Sequence, residues 1–300
     1  MRKVFVSKQA PQKAVQLLQS AGFEVEVGDM KNAKNADALF SLVIDRIDAK
    51  LMEASPQLKV VSNMAVGLDN IDQEAAKQRS VVVKNTPDVL TESVAEHAAL
   101  LILGIARKIS QADVFVRKGK FRGWEPNLFL GTELKGKTLG LVGHGRIGCR
   151  TAKIMQKGFG MRVIYYDAVR DQAREEQCGI TYASLEQLLK EADVVSLHVP
   201  LLPSTEHLIG EKELRLMKPT SYIVNTARGP VIDEKALVKA LQEKRIAGAA
   251  LDVFEEEPKL ASGLAKLENV LLTPHIASAT NEAREQMATM AAQNIIDTLK

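Results

Sequence analysis

The sequence has few cysteines and few aromatic residues. Its 300 residues include two cysteines and one tryptophan, and aromatic residues make up 4% of the chain. Two cysteines fit a protein of the reducing cytoplasm, where structural disulfides are rare. We interpret Cys149, which falls inside a predicted helix, as a small packing residue.

Long apolar runs and an excess of one charge are also missing. No stretch reaches the roughly 18 apolar residues of a membrane-spanning helix, and the opening MRKVFV enters a predicted strand without the apolar segment of a signal peptide. The 40 basic and 37 acidic residues give a net charge of +3. That balance favours neither nucleic acid nor an anionic membrane as a partner. We therefore expect a cytoplasmic protein.

The remaining composition is typical of a globular α/β protein with two domains. Apolar residues make up 46% and charged residues 26% of the chain. Short apolar strands alternate with helical segments, which predicts parallel sheets. The predicted strands are 3–6, 22–27, 38–43, 58–61, 80–83, 138–142, 162–166, 192–199, 221–225, 246–251 and 270–273, and predicted helices include 185–189, 233–241 and 282–299.

The strongest local motif begins at residue 138. A buried strand leads into the glycines Gly143, Gly145 and Gly148 (GHGRIG), and an amphipathic helix follows. The first glycine permits a tight turn, the second lets a pyrophosphate approach the backbone, and the third lets the helix pack on the strand. The N-terminus of the helix offers free N–H groups to phosphate.

The next strand ends at Asp167, which predicts the cofactor. Asp167 lies 24 residues after Gly143, close to the spacing of about 20 in dinucleotide-binding folds. A carboxylate there accepts both ribose hydroxyls of NAD and repels the 2′-phosphate of NADP. Arg170 is near enough to weaken this preference, so NADP remains possible. A glycine turn alone is weak evidence, but the strand, helix and acid all favour an NAD site.

The pattern of residues 91–137 predicts a segment that connects the two domains. We expect one long helix from Thr91 to about Gly119, and we interpret His97 within it as a satisfied, partly buried histidine. Residues 117–137 then form an irregular arm that contains Trp124. Basic residues among aromatic ones can indicate nucleic-acid binding. Nothing else in the chain supports that reading, and a solvated arm or subunit contact is preferred.

Three side chains at predicted strand ends could carry chemistry. Arg228 lies between two small residues, Glu257 precedes a proline in an acidic run, and His275 follows a proline. Each alone has an ordinary explanation: a surface arginine, a solvated acidic loop, and a histidine that caps a strand. Ligands of open α/β sheets bind beyond the carboxyl ends of the strands. Three such groups at that edge favour an active site.

Together these motifs resemble the D-isomer-specific 2-hydroxyacid dehydrogenase family. The matching stretches span nearly the whole chain: 65–72 (AVGLDNID), 142–148 (VGHGRIG), 225–229 (NTARG), 250–258 (ALDVFEEEP) and 273–275 (TPH). Within the family, the segments 119–124 (GKFRGW) and 127–131 (NLFLG) are most similar to glyoxylate and hydroxypyruvate reductases.

The resemblance implies hydride transfer between a nicotinamide cofactor and a small 2-ketoacid or 2-hydroxyacid, without a metal. By likeness, His275 would protonate the substrate carbonyl, Glu257 would orient His275 and favour its charged form, and Arg228 would clamp the substrate. The N–H groups near Val66 and Gly67 would also bind the substrate. The implied cofactor site contains Thr91, Gly143, Gly145, Arg146, Ile147, Gly148, Asp167, Val199, Pro200, Thr205, Thr226, Ala227, Asp252 and Ala277.

The resemblance also implies the family's α/β fold, which has two Rossmann-like, doubly wound parallel-sheet domains with a cleft between them. The implied substrate domain is discontinuous and comprises 1–95 plus 277–300, and the implied NAD-binding domain comprises 96–276. Closure of the cleft would exclude water from the reaction. Such enzymes are usually homodimers through the nucleotide domain, and the arm would supply the contact.

Two other functions share these motifs. One is a short form of D-3-phosphoglycerate dehydrogenase, and the other is an NAD(H)-sensing corepressor that binds partners through the same fold. The three intact candidate residues Arg228, Glu257 and His275 favour an enzyme. Asp167 is a departure, because many glyoxylate reductases have a small or basic residue there and use NADP.

Overall fold

The computed structural model describes residues 1–300, apart from the side chain of Arg174. The chain divides into two compact units, one formed by Met1–Leu90 with Ser278–Lys300 and the other by Thr91–Ala277. Within the described part of the chain, no helix combines the length and apolar character needed to cross a membrane.

The first unit is a parallel sheet of five strands with helices packed on it. Its elements are β1 (Lys3–Ser7), α1 (Gln12–Ser20), β2 (Glu24–Gly28), β3 (Ala38–Ser41), α2 (Ala49–Glu53), β4 (Val60–Asn63), α3 (Gln73–Gln78), β5 (Val82–Lys84) and the C-terminal α11 (Asn281–Leu299). The strand order is β2-β1-β3-β4-β5. The three central strands are apolar and buried, whereas the edge strands β2 and β5 are largely exposed, as expected for a covered parallel sheet.

The last helix, α11, belongs to this unit because its buried face carries small residues. Ala288, Ala291 and Ala292 are completely buried. Small side chains allow the helix to approach β4, and the Ser62 hydroxyl donates a hydrogen bond to the carbonyl of Ala291 at 2.8 Å.

The second unit is a parallel sheet of seven strands. Its elements are α4 (Thr91–Ala106), α5 (Ile109–Arg117), β6 (Thr138–Val142), α6 (Arg146–Phe159), β7 (Arg162–Tyr166), α7 (Gln172–Cys178), β8 (Thr181–Tyr182), α8 (Leu185–Glu191), β9 (Val194–Leu197), α9 (Glu211–Leu216), β10 (Tyr222–Asn225), α10 (Glu234–Gln242), β11 (Gly248–Leu251) and β12 (Val270–Leu272). The strand order is β12-β11-β10-β9-β6-β7-β8. Separate apolar cores cover its two faces. Both sheets confirm the predicted Rossmann-like α/β class.

The strand order fixes where a ligand belongs. The chain runs outward from β6 through β7 to β8, then returns to place β9 on the other side of β6. Ligands of such sheets bind beyond the carboxyl ends of the strands at this reversal. The loops after β6 and β9 are therefore the expected floor of a cofactor site.

The predicted long helix from Thr91 to Gly119 is wrong. α4 ends at Ala106, Lys108 adopts a left-handed φ of 53°, and α5 begins at Ile109. The returning arm ends α4, because the N–H of Thr132 donates to the carbonyl of Ala106 at 2.8 Å. The arm between α5 and β6 contains no helix or strand, as predicted.

The interpretation of Cys149 as a simple packing residue is also wrong. Its sulfur is bonded to that of Cys178, 29 residues later. Cys149 lies in the first turns of α6, and Cys178 is the last residue of α7. The bond therefore joins the helix of the glycine loop to the helix that follows β7.

Candidate active site

The glycine loop joins β6 to α6 and lies against the end of β9. Gly143 has a φ of 97°, and a Cβ on it would lie 2.7 Å from the backbone of His198 and Val199. A Cβ on Gly148 would lie 2.5 Å from the carbonyl oxygen of Gly143. Side chains at these two positions would force the loop away from the sheet, so the glycines are required by packing.

Gly145 meets a different requirement, because it is the residue at the N-cap of α6. A Cβ there would meet no atom within 4 Å, and no side chain caps the helix. The aligned peptide dipoles make this uncapped end attractive to an anion. The open space at Gly145 would admit a pyrophosphate, next to Arg146 and Ile147 in the first turn of the helix.

Asp167, directly after β7, is tied to the same loop. Its Oδ2 accepts a hydrogen bond from the backbone N–H of His144 at 2.8 Å. This bond holds the carboxylate beside the glycine loop, where a ribose-binding acid is expected. Arg170 is already engaged, since its guanidinium donates to both carboxylate oxygens of Glu175 at 2.7 and 3.1 Å.

The neighbouring loops contain two threonines from the expected cofactor site. The Thr205 hydroxyl donates to the carbonyl of Pro200 at 2.6 Å and accepts from the N–H of Leu202 at 2.8 Å, so it holds the turn after Val199. Thr226, after β10, is buried, and its hydroxyl has no hydrogen-bond partner among the described residues. A buried hydroxyl without a partner is costly. A polar group of a bound cofactor would satisfy it.

A neutral histidine lies behind the glycine loop. Burial, and then repulsion by His144, lower the pKa of His198 to about 4. Its Nε2 lies 3.0 Å from the hydroxyl of Ser196. At neutral pH His198 therefore adds no positive charge to the phosphate-facing side of the sheet.

The structure brings Arg228, Glu257 and His275 to the carboxyl edge of the second sheet. His275 donates from Nδ1 to Oε2 of Glu257 at 2.9 Å, and Oε1 accepts from the N–H of Phe254 at 3.0 Å. Burial alone would raise the pKa of Glu257. The hydrogen bonds from His275 and Phe254, with the charges of His275 and Arg228, outweigh burial and lower that pKa. Glu257 is therefore an ionised partner of the histidine at neutral pH.

His275 is held in an unusual backbone conformation by a buried acid. Its φ is 53°, a left-handed value that costs energy in a residue other than glycine. The carboxylate of Asp252 is fully buried and accepts hydrogen bonds from the N–H groups of Ile276 and Ala277 at 2.9 and 2.8 Å. The N–H of His275 donates to the Asp252 carbonyl at 2.8 Å. Asp252 thus fixes the turn in which His275 lies.

His97 is partly buried and has partners, as the sequence interpretation expects, but its position was not predicted. Its Nε2 donates to the hydroxyl of Thr273 at 3.1 Å, and that hydroxyl donates to Asp252 at 2.6 Å. Burial would raise the pKa of Asp252, but the hydrogen bonds from His97, Thr273 and the two N–H groups lower it. His97 therefore supports the His275 turn from α4.

Glu234 is a second supporting residue that sequence reasoning missed. It is 3% exposed at the start of α10, and its carboxylate accepts from the N–H groups of Glu255 and Ala261 at 2.8 and 3.2 Å. In return, Glu255 accepts from the N–H of Glu234 at 3.1 Å and from His207 at 2.8 Å. Burial raises the pKa of Glu234. Both ends of the loop that carries Glu257 are thereby attached to α10.

The remaining substrate candidates, Val66 and Gly67, lie in the first unit, in the loop after β4. The carbonyl of Val66 accepts from the side-chain amide of Asn85 at 2.8 Å, and that of Gly67 accepts from Asn63 at 2.9 Å. Both carbonyls therefore accept hydrogen bonds within their own unit, and these bonds fix the orientation of the backbone at Val66 and Gly67.

Comparison with known proteins places these features in a family. Residues 99–277 match the NAD binding domain of D-isomer specific 2-hydroxyacid dehydrogenases. A glyoxylate reductase of Thermococcus litoralis is 49% identical over 98% of this chain and 92% of its own. The crystal structure of an NADPH-dependent glyoxylate/hydroxypyruvate reductase from Sinorhizobium meliloti, with NADP and malonate, has a TM-score of 0.90 at 33% identity over 98% of this chain and 92% of its own. A D-lactate dehydrogenase from Aquifex aeolicus, complexed with NAD and lactic acid, has a TM-score of 0.86 at 33% identity over 97% and 94%.

We expect Glu234→Gln to loosen the loop that carries Glu257. An amide has only one acceptor oxygen, so one of the two N–H groups at Glu255 and Ala261 would lose its bond, at a cost of about 1–3 kcal/mol in the free energy of unfolding. Urea denaturation measures that loss, and amide hydrogen exchange at Glu255 and Ala261 should accelerate. The exposed Glu211→Gln on α9 is the matched control. Equal stability and unchanged exchange in the two variants would contradict the assignment.

Proposed function

The chain belongs to the D-isomer specific 2-hydroxyacid dehydrogenase family, and we propose that it uses NADH to reduce glyoxylate or hydroxypyruvate to the D-2-hydroxyacid. The observation that carries the proposal is the pairing of His275 with an ionised Glu257, close to Arg228, at the edge of a sheet that also presents a dinucleotide loop. The glyoxylate reductase relative, which matches over nearly its full length, supports the substrate class.

His275, Glu257 and Arg228 each have a separate role in the proposed reduction. The Nδ1 of His275 is engaged by Glu257, which leaves Nε2 to give its proton to the carbonyl oxygen of the substrate. Glu257 keeps the ring in one orientation and stabilises its protonated form. The planar guanidinium of Arg228 can bind a carboxylate through two hydrogen bonds. When bound, the nicotinamide cofactor supplies the hydride.

We further propose that Thr91–Ala277 binds the dinucleotide and that Met1–Leu90 with Ser278–Lys300 is the substrate domain. The glycine loop, the uncapped α6 and the unpartnered hydroxyl of Thr226 support the first assignment. The expected phosphate contacts are the loop and the first turn of α6. The expected ribose and nicotinamide contacts are Thr91, Asp167, Val199, Pro200, Thr205, Thr226, Ala227, Asp252 and Ala277.

The cofactor we propose is NAD(H), ahead of NADP(H). Asp167 supports this choice because its negative charge would repel a 2′-phosphate. Arg170 strengthens it, since the pairing with Glu175 leaves that guanidinium poorly placed to receive a phosphate. The family relatives with bound cofactor include one with NADP and one with NAD.

We also propose a homodimer through the arm and α5. No residue of α5 is buried, and Val116, Phe121, Trp124 and Leu130 are 56%, 56%, 85% and 62% exposed. A surface with this many exposed apolar side chains is typical of an interface. A single-chain mass in sedimentation velocity would exclude the dimer. A cytoplasmic location, where NADH is regenerated, completes the proposal, and cell fractionation tests it.

Steady-state kinetics with a panel of 2-ketoacids tests the function. We expect NADH-dependent turnover, with glyoxylate and hydroxypyruvate ahead of phenylpyruvate and 3-phosphohydroxypyruvate in kcat/KM. A tenfold advantage for 3-phosphohydroxypyruvate would favour the short 3-phosphoglycerate dehydrogenase. Absence of turnover with tight NADH binding would favour the corepressor-like binding protein.

The cofactor preference should depend on the charge of Asp167. Wild type should have a higher kcat/KM with NADH than with NADPH, and Asp167→Ser should narrow that ratio because it removes the repulsion of the 2′-phosphate. Arg170→Ala should leave the activity with NADPH nearly unchanged. A wild-type preference for NADPH would contradict the proposal. A large loss in Arg170→Ala with NADPH alone would show that Arg170 receives the 2′-phosphate.

The pH dependence of reduction should depend on Glu257. Its lowered pKa keeps it ionised, and Glu257→Gln removes the charge that stabilises the protonated imidazole, so the proton is lost at lower pH. The basic limb of kcat/KM should therefore move to lower pH. His275→Ala should cost roughly 10²–10⁴ in rate, and Arg228→Lys should also lose most activity.

The matched control is Glu256→Gln, which neutralises an exposed neighbour in the same acidic run. It should leave the basic limb in place. If Glu257→Gln behaves like Glu256→Gln, Glu257 belongs to a solvated loop and has no role in proton transfer.

A further inference from the structure

The two cysteines of the chain meet a histidine beside the glycine loop. Cys149 and Cys178 have Cα atoms 6.2 Å apart. The ligand atoms of both cysteines and of His144 all lie within 4.8 Å of one another. His144 and Cys178 are 2% and 5% exposed, and Cys149 is partly buried at the edge of the same core. The proposed reduction of ketoacids uses none of these three side chains.

Three features make this cluster more than a packing arrangement. The chain contains only two cysteines and five histidines, yet two cysteines and one histidine converge from a loop and two helices. Thiolate and imidazole are the ligands that Zn²⁺ prefers in proteins. The ring of His144 is also flanked by Tyr165, with centroids 4.5 Å apart, which restricts its orientation.

We propose that Cys149, Cys178 and His144 bind Zn²⁺ when the two cysteines are in the dithiol form. Tetrahedral zinc, with bonds of about 2.3 Å to sulfur and about 2.0 Å to nitrogen, separates its ligand atoms by about 3.5–3.8 Å. In the disulfide form the two sulfurs are bonded and the imidazole lies within 4.8 Å of them, so the sulfurs must move apart after reduction to reach these separations. Three protein ligands leave the fourth position of a tetrahedral site for water.

The dithiol form arises by thiol–disulfide exchange with a dithiol reductant. One reductant thiolate attacks a sulfur of the Cys149–Cys178 bond, and the second closes the reductant to a cyclic disulfide. The two protein sulfurs leave as thiols, with the protons that the reductant gives up. Binding of Zn²⁺ then releases both thiol protons. The disulfide and the zinc complex are therefore mutually exclusive states of one pair of sulfurs.

The cluster is connected to the proposed cofactor site through the backbone. The N–H of His144 donates to Asp167 at 2.8 Å, and Cys149 lies in the helix that begins with the glycine loop. Two of the three zinc ligands, His144 and Cys149, would thus come from the glycine loop and the helix that follows it, while the carboxylate of Asp167 stays outside the metal site.

Zinc binding to the full-length protein tests the proposal directly. The protein is reduced with dithiothreitol, freed of it anaerobically, and titrated with Zn²⁺ in competition with a chromophoric chelator. We expect about one zinc per chain, and binding about 100-fold weaker in Cys149→Ser and in Cys178→Ser. The oxidised wild type should bind no better than those variants. His207→Asn, which removes an exposed histidine elsewhere, should bind like wild type.

A second measurement does not depend on the variants folding normally. Co²⁺ added to the reduced wild type should give the thiolate-to-cobalt charge-transfer absorption of a site with two sulfur ligands, and Zn²⁺ should bleach it. The proposal is overturned if the reduced wild type binds Zn²⁺ no more tightly than the serine variants, which leaves a structural disulfide only. Equal binding by the oxidised and reduced wild type would also overturn it, because the metal would then lie elsewhere.

Discussion

The buried carboxylate of Asp252 is the interaction on which the candidate active site depends. It lies at the end of β11, is fully buried, and receives hydrogen bonds from two consecutive N–H groups and from the hydroxyl of Thr273. Removal of a carboxylate from water costs several kcal/mol unless its oxygens find donors. Here the donors come from the turn that carries His275. The requirement to satisfy one buried charge therefore fixes the left-handed backbone of the proposed proton donor.

A steric constraint fixes the position of the loop that carries Arg228 against the segment that leads to Glu257. A Cβ on Gly229 would lie 1.9 Å from the carbonyl of Phe254, so only glycine lets the Arg228 loop pass against the segment that leads to Glu257. Beside this contact, His207 donates to the carboxylate of Glu255. The backbone N–H groups of Glu234 and Glu255 each donate to the other residue's carboxylate. The loops that present Arg228 and Glu257 are thus packed against each other, and each side chain is also held by its own loop: Arg228 donates to the carbonyl of Ala227, and Glu257 accepts from the N–H of Phe254.

Sequence reasoning succeeded where the signal was local. The alternation of short apolar strands with helices predicted both parallel sheets. The glycine motif with its flanking strands predicted a dinucleotide-binding unit, in agreement with the family match over residues 99–277. It failed where a distant segment decides the structure. α4 ends at Ala106 because Thr132 returns to its carbonyl. The two cysteines lie 29 positions apart, and the segment between them carries no pattern that predicts their contact. The supporting roles of His97 and Glu234 depend on partners far along the chain, which one sequence without its fold does not reveal.

The acidic run at 255–257 shows why composition alone could not assign these residues. Three successive glutamates usually form a solvated loop, and Glu256 is indeed exposed. Its neighbours differ because the chain folds back on α10: Glu255 bonds His207 and the N–H of Glu234, whereas Glu257 bonds His275 and the N–H of Phe254. Each carboxylate acquires a separate environment from the donors that meet it. The same residue type therefore supports the loop at Glu255, faces water at Glu256, and hydrogen-bonds the imidazole of His275 at Glu257.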